Sequence, residues 1–212
     1  MNNKIIEGFI VFEGIDGSGT TTQMNRLAER LKRLNIPVRC DSEPTGSVAG
    51  RRLRTLLKTG NAEDPLFNTT MSSLFSLDRA LHVYGENGII STATGGVKLL
   101  CDRYFWSTAA YQGVNGDVDE ILELNNAFPL PEYLFFLDVD PKEAVKRIDR
   151  RNAAKEIYET AAFLEKVRTL YRAALKRYED SGMKIFTADT SQPADETEAF
   201  IASCLDFLPK CR

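Results

Sequence analysis

Apolar positions along the chain follow two alternating rhythms. Phe9-Ile10-Val11-Phe12 is an unbroken β-prone run, the pattern of a strand covered on both faces. A glycine-rich break from Gly14 to Gly19 ends it. Met24, Leu27, Leu31 and Leu34 then recur at three- and four-residue steps, which predicts an amphipathic helix. Val38 to Cys40 predicts a second short strand, closed by Pro44 and Gly46. Leu53, Leu56 and Leu57 predict a short helix, and Leu74, Leu77, Leu81 and Tyr84 a long one. Gly95-Gly96 announce a buried strand, Val97 to Cys101, that ends in Asp102, and Tyr133 to Leu137 predicts a fourth, ending in Asp138. A charged helix follows from Pro141 to about Arg151. Phe163, Val167, Leu170 and Ala174 mark another, stopped by Gly182. Lys184 to Thr187 predicts a fifth strand, and Ala194 to Phe207 a closing helix. Strands alternating with helices imply right-handed crossovers, hence an α/β fold with a five-stranded parallel sheet and helices on both faces. With 212 residues and no linker, repeat or low-complexity tract, residues 1–212 read as one domain.

Composition narrows the functions open to such a fold. Lys and Arg total 27 against 30 Asp and Glu, a net charge of −3. That argues against a surface made for duplex nucleic acid or an anionic membrane, although it is blind to a few arginines gathered in one cleft. The single histidine, His82, rules out a two-histidine zinc site. Cys40, Cys101, Cys204 and Cys211 never fall at a Cys-x-x-Cys spacing, and so few thiols in a chain this long suit a reducing compartment. Glu7 and Glu13 frame the first apolar run, and nothing approaches the ~18 uninterrupted apolar residues of a spanning helix. The expected location is therefore cytoplasmic.

The break after the first strand carries the chemistry. Gly14-Ile15-Asp16-Gly17-Ser18-Gly19-Thr20-Thr21 fits Gly-x-x-x-x-Gly leading into a helix, the frame of a phosphate-binding loop. Its glycines let successive N–H groups turn inward, and the helix offers its positive end to the same anion. Thr21 stands where a hydroxyl would hold Mg²⁺. The motif normally continues Gly-Lys-Ser/Thr, and here Thr20 replaces the lysine. Threonine donates one hydrogen bond and brings no charge. Loss of one preorganised donor typically costs roughly a hundred- to a thousand-fold in rate.

The order of further motifs resembles the thymidylate kinase family. The residues that carry the likeness are Phe12 to Gly19 with Thr21-Thr22-Gln23, then Glu43-Pro44-Thr45, Leu53-Arg54 and Phe75-Ser76-Leu77-Asp78-Arg79. Asp102-Arg103-Tyr104, Ser107 to Gly113, Leu137-Asp138-Val139 and Ala188 to Pro193 complete it. The aspartate–glycine phosphate loop, with basic residues in a lid, resembles the bacterial branch.

The resemblance implies a three-layer P-loop nucleoside monophosphate kinase fold, a homodimer, and transfer of phosphate from ATP to dTMP with Mg²⁺. It implies that Gly14, Ile15, Asp16, Gly17, Ser18, Gly19, Thr20 and Thr21 hold ATP, and that Thr21 and Asp102 serve the metal. Arg54 and Arg103 match the residues that grip the acceptor phosphate, where a guanidinium fork suits a dianion. Phe75 matches the aromatic that stacks on thymine, Arg79 the group that hydrogen-bonds the base carbonyl, and Thr108 and Gln112 polar contacts to the base. Tyr111 would crowd the ribose 2′ position. Asp16 and Glu43 match positions beside the acceptor sugar and phosphate.

A lid is expected at about residues 147–159. Arg147, Arg150 and Arg151 would bring charge to the moving phosphoryl group; taken alone, they read as a solvated helix face. The lid departs from bacterial relatives at Ile157-Tyr158, where an Asp-Arg pair is common before the glutamate matching Glu159. Either a lid arginine or Lys98 is the expected substitute for the missing lysine. His82 and Trp106, outside these motifs, read as structural. Three functions follow: a dTMP kinase, a nucleotide-binding module that has lost catalysis with its lysine, and a kinase for another nucleoside monophosphate. The acceptor-site set favours the first.

Overall fold

The computed structural model describes residues 4–61, 64–150 and 160–209. Five strands form one parallel sheet in the order β2-β3-β1-β4-β5. They are β1 (Ile5–Gly14), β2 (Val38–Ser42), β3 (Lys98–Asp102), β4 (Leu130–Asp138) and β5 (Lys184–Asp189). The central strand β1 pairs Phe12 with Asp102 on one side and Gly14 with Leu137 on the other. Phe9, Ile10, Val11 and Phe12 are each fully buried, a burial worth about 1.5–3 kcal/mol per side chain. Alternation along the strand sends them to two cores. Phe9 and Val11 share one core with Trp106, Leu164 and Tyr171, while Ile10 and Phe12 share the other with Met24, Leu27 and Ile201.

The helices are α1 (Thr20–Arg33), α2 (Val48–Thr59), α3 (Pro65–Tyr84), α4 (Ile89–Thr94), α5 (Phe105–Gln112), α6 (Val118–Leu124), α7 (Pro141–Arg150), α8 (Ala161–Lys176) and α9 (Ala194–Cys204). All five expected strands are present, with β1 and β4 longer than their apolar runs. The closing helix stops at Cys204 rather than Phe207. Helices α4, α5 and α6 carry no stripe in the sequence. In α5 every residue but Ser107 is buried, so it has no polar face to set a rhythm.

Helix α3 is where periodicity misleads. An apolar stripe normally faces the core, yet Leu77, Leu81 and Tyr84 are 52%, 50% and 56% exposed. The inward face carries Met71, Ser72, Asp78, Arg79, His82 and Val83. Asp78 explains part of the reversal: its carboxylate accepts from Thr45 N (2.7 Å), Thr45 Oγ1 (2.6 Å) and Ser47 Oγ (2.6 Å), and so ties the loop after β2 to this helix. Among the described residues no helix is long and apolar enough to cross a membrane.

Candidate active site

The carboxyl ends of β1, β2 and β3 open on one crevice, the usual place for a ligand in a sheet whose order reverses beside its central strand. The loop from Gly14 to Thr21 forms its floor. Gly17 (φ 81°) and Gly19 (φ 97°) take left-handed conformations that only glycine adopts cheaply. A Cβ on Gly17 would lie 2.5 Å from the Ala144 carbonyl, because α7 packs against the loop there. Asp16 N donates to Tyr111 Oη (2.8 Å) and Ser18 N to the Ile15 carbonyl (3.0 Å). Gly19 caps α1 without a side-chain acceptor, leaving N–H groups of the first turn for an anion. Thr20 lines a polar recess of about 120 Å³ with Asp16, Gly17, Gly19, Thr21, Asp102 and Arg103.

Arg103 joins the loop to the rest of the crevice. Its φ of 73° is costly for a non-glycine residue and is held by Arg103 N donating to the Phe12 carbonyl (2.9 Å). Its guanidinium donates to Asp16 Oδ1 (2.6 Å), the Gly14 carbonyl (2.7 Å) and Tyr171 Oη (3.1 Å). Beneath it, Glu13 is fully buried and accepts from Tyr104 N, Ser107 N, Ser107 Oγ and Tyr171 Oη. Burial raises the Glu13 pKa to about 7, against the opposing pull of these donors and Arg103.

Beside the loop lies a cavity of about 260 Å³. Asp16, Glu43, Arg54, Phe75, Arg79, Arg103, Tyr111 and Gln112 all line it. Arg54 is exposed and donates to the Pro44 carbonyl. Arg79 is fully buried: Nε donates to Glu43 Oε2 (2.9 Å), Nη2 to Thr108 Oγ1 (3.1 Å) and Nη1 to Asn125 Oδ1. Thr108 is thus bound to Arg79 rather than lining the cavity. The Arg103 guanidinium lies 5.4 Å from the centre of the Tyr111 ring, a cation–π distance.

Thr21 Oγ1 donates to Asp102 Oδ2, while Asp102 Oδ1 is buried with no partner among the described residues. A hydroxyl beside an unsatisfied carboxylate oxygen fits a hydrated divalent cation. Among the described residues no three His, Cys, Asp or Glu side chains cluster as a cage.

Comparison with known proteins agrees with this arrangement. A family model described as thymidylate kinase matches residues 12–201. The chain belongs to the thymidylate kinase family. Its relatives include thymidylate kinases of Leptospira interrogans (38% identical, covering 80% of this chain and 82% of the relative) and Leptospira borgpetersenii (37%, 80% and 82%). That of Desulfotalea psychrophila is 37% identical over 77% of this chain and 80% of its own length. Members of the family are phosphotransferases, and the five-stranded parallel sheet is that of the P-loop nucleoside monophosphate kinases.

The remaining expectations separate in space. Lys98 opens β3, and the strand's other end carries Asp102, so about 13 Å of strand lie between Lys98 and the phosphate loop. Its ammonium sits 4.5 Å from the centre of the Phe207 ring. Lys98 therefore does not replace the missing lysine. Arg147 on α7 donates to the Thr190 carbonyl (2.8 Å) beside the loop after β5, and Arg150 is exposed at the end of α7. Arg151, Ile157-Tyr158, Glu159 and with them most of the expected lid lie outside the described residues. Trp106 is packed on Phe105, ring centres 3.8 Å apart. Motif reading missed Asn125, Tyr171 and the Arg168–Asp138 pair (2.6 and 2.9 Å). Asp138 was marked by its motif, but no local pattern marks Asn125, Tyr171 or Arg168, and each meets its partner from a distant part of the chain.

Proposed function

We propose that the protein transfers a phosphoryl group from ATP to dTMP, giving dTDP and ADP. The observation that carries this reading is the single cavity in which two arginines, an aromatic and a buried arginine–glutamate pair adjoin a phosphate loop. Arg54 and Arg103 would grip the acceptor phosphate, with Arg103 also tied to the loop through Asp16. Phe75 would stack on thymine, Arg79 and Gln112 would read its polar edge, and Thr108 would brace Arg79. Tyr111, fixed by its bond from Asp16 N, would stand where a ribose 2′-hydroxyl would need room. Glu43 would hold Arg79 rather than touch the phosphate.

On the donor side, residues 14–21 would bind the ATP phosphates through backbone N–H groups and the N-terminus of α1. Thr21 and Asp102 would hold Mg²⁺, which supplies charge neutralisation at the phosphates. Arg147 and Arg150, with Arg151 beyond the described residues, would close over the donor. The exposed Leu77, Leu81 and Tyr84 of α3, with Leu124 at the end of α6, offer an apolar face for a homodimer.

Thr20 favours one second reading, a nucleotide-binding module without turnover. A coupled ADP-release assay with ATP, Mg²⁺ and dTMP decides between them. Turnover of about 1–100 per second is expected. Tight dTMP and ATP binding with no ADP release would overturn the kinase in favour of the module.

A further inference from the structure

His82 is the only histidine in the chain, and its side chain is 7% exposed on the inward face of α3. Its ring lies between two carboxylates. Nδ1 is 3.0 Å from Glu43 Oε1, and Nε2 is 3.1 Å from Asp41 Oδ2. A neutral imidazole has only one N–H, so one nitrogen would present a lone pair to a carboxylate; the geometry calls for imidazolium. Burial alone would lower the pKa, but the hydrogen bonds and charges of Asp41 and Glu43 outweigh it and raise the value to about 9.

The two oxygens of Glu43 divide the work. Oε1 faces His82, and Oε2 meets Arg79 at Nε (2.9 Å) and Nη2 (2.7 Å). The Arg79 guanidinium is fixed further by Thr108 and Asn125 and flanked by the rings of Tyr104 (5.2 Å) and Phe128 (5.7 Å). Glu43 and Arg79 line the acceptor cavity; His82 does not. We infer that His82 is a positioning residue for acceptor recognition, holding Glu43 through Nδ1 so that Glu43 sets Arg79 against the base. The inference rests on the dTMP reading above. Without the Nδ1 donor, a buried carboxylate oxygen loses its partner, and Glu43 is left to neutralise Arg79 alone. Both changes weaken the guanidinium's hold on a base carbonyl.

Two amide variants separate positioning from packing. The amide nitrogen of asparagine stands near the place of histidine Nδ1, and that of glutamine near Nε2. His82→Asn therefore keeps the bond to Glu43, while His82→Gln keeps only the bond to Asp41. We expect the KM for dTMP to stay within about three-fold in His82→Asn and to rise ten-fold or more in His82→Gln, with the KM for ATP unchanged in both. A packing role reverses the order, because asparagine leaves the larger void; that order, equal effects, or a parallel rise in the KM for ATP overturns the inference. Should His82→Gln fail to fold, Asp41→Asn gives the second reading. It takes the charge from the outer partner, which also pairs with Arg39, and leaves the bond from Nδ1 to Glu43 in place, so the KM for dTMP is expected within about two-fold of wild type, and a ten-fold rise overturns the inference. Wild-type protein that neither binds nor phosphorylates dTMP defeats the functional reading and this inference together. Normal wild-type turnover with the wrong order of variants defeats this inference alone.

Discussion

Arg79 and Thr20 stand on the two sides of one crevice in very different company. Around Arg79, side chains from the loop after β2, from α5 and from the end of α6 converge on one guanidinium, and His82 and Asp41 extend the network behind it. Around Thr20, among the described residues, there are backbone N–H groups, the carboxylates of Asp16 and Asp102, and the cation Arg103, already engaged with Asp16 and Gly14. The side around Arg79 is preorganised by these bonds, so an acceptor bound there, as proposed, would cost little rearrangement. The side around Thr20 offers a shaped anion site and, on the proposed reading, would leave much of the charge to Mg²⁺. On the proposed reading, specificity would lie in the wall around Arg79, and rate would depend on the phosphate loop.

Arg103 belongs to both sides, and its loss should have the largest effect. Arg103→Ala is expected to lower kcat/KM by about a thousand-fold, at the upper end for one preorganised donor. A fall of less than ten-fold in steady-state kinetics would mean that the two sides are not coupled through it. Thr20→Lys tests the donor side alone. The expected result is a gain of about ten-fold in kcat/KM for ATP with the KM for dTMP unchanged. No gain would mean that a cation from α7 or beyond already fills the lysine's role.

The acceptor side should also reveal itself in stability against pH. His82 binds its proton more tightly in the fold, so its contribution is full below the ordinary value of 6.5 and is lost as pH rises through about 9. The gap in Tm between wild type and His82→Gln should narrow across that window. Glu13 is a raised acid: the unfolded chain releases its proton first, so stability from this group falls as pH rises from 4.5 to about 7. Thermal melts at successive pH values check both. The smallest effect is expected at the outer face of α3. Leu81→Glu, at a side chain 50% exposed, should leave the monomer's Tm within about 2 °C while moving sedimentation toward monomer. Unchanged sedimentation would remove this face as the dimer contact.

The comparison also sets what a reader of the sequence could see. The phosphate loop was legible because its chemistry is contiguous: glycines, a following helix and Thr21 lie within eight residues. Arg54, Phe75, Arg79 and Gln112 were legible as motif positions, and the cavity brings them together. Glu13 was visible as a charge framing the first apolar run and as part of a motif. Its role appears when Tyr171, 158 residues away, donates to it. His82 read as structural because its helical neighbours Leu77 and Leu81 suggest a core-facing stripe, whereas that stripe faces solvent and His82 faces the carboxylates. Lys98 was a plausible cation until strand direction put it at the wrong end of the sheet.

By itself, then, the sequence determined the alternation of strands and helices, the anion loop and its missing charge, and the family. Those properties depend on runs of neighbours: apolar blocks, turn glycines and short motifs. Tertiary structure decided which face of α3 is buried, that Arg103 and not Lys98 lines the crevice, and how His82, Glu43, Arg79 and Asn125 join into one buried network. Such contacts form between residues far apart in the chain, and buried polar groups must find partners wherever packing brings them, so no local pattern could have announced them.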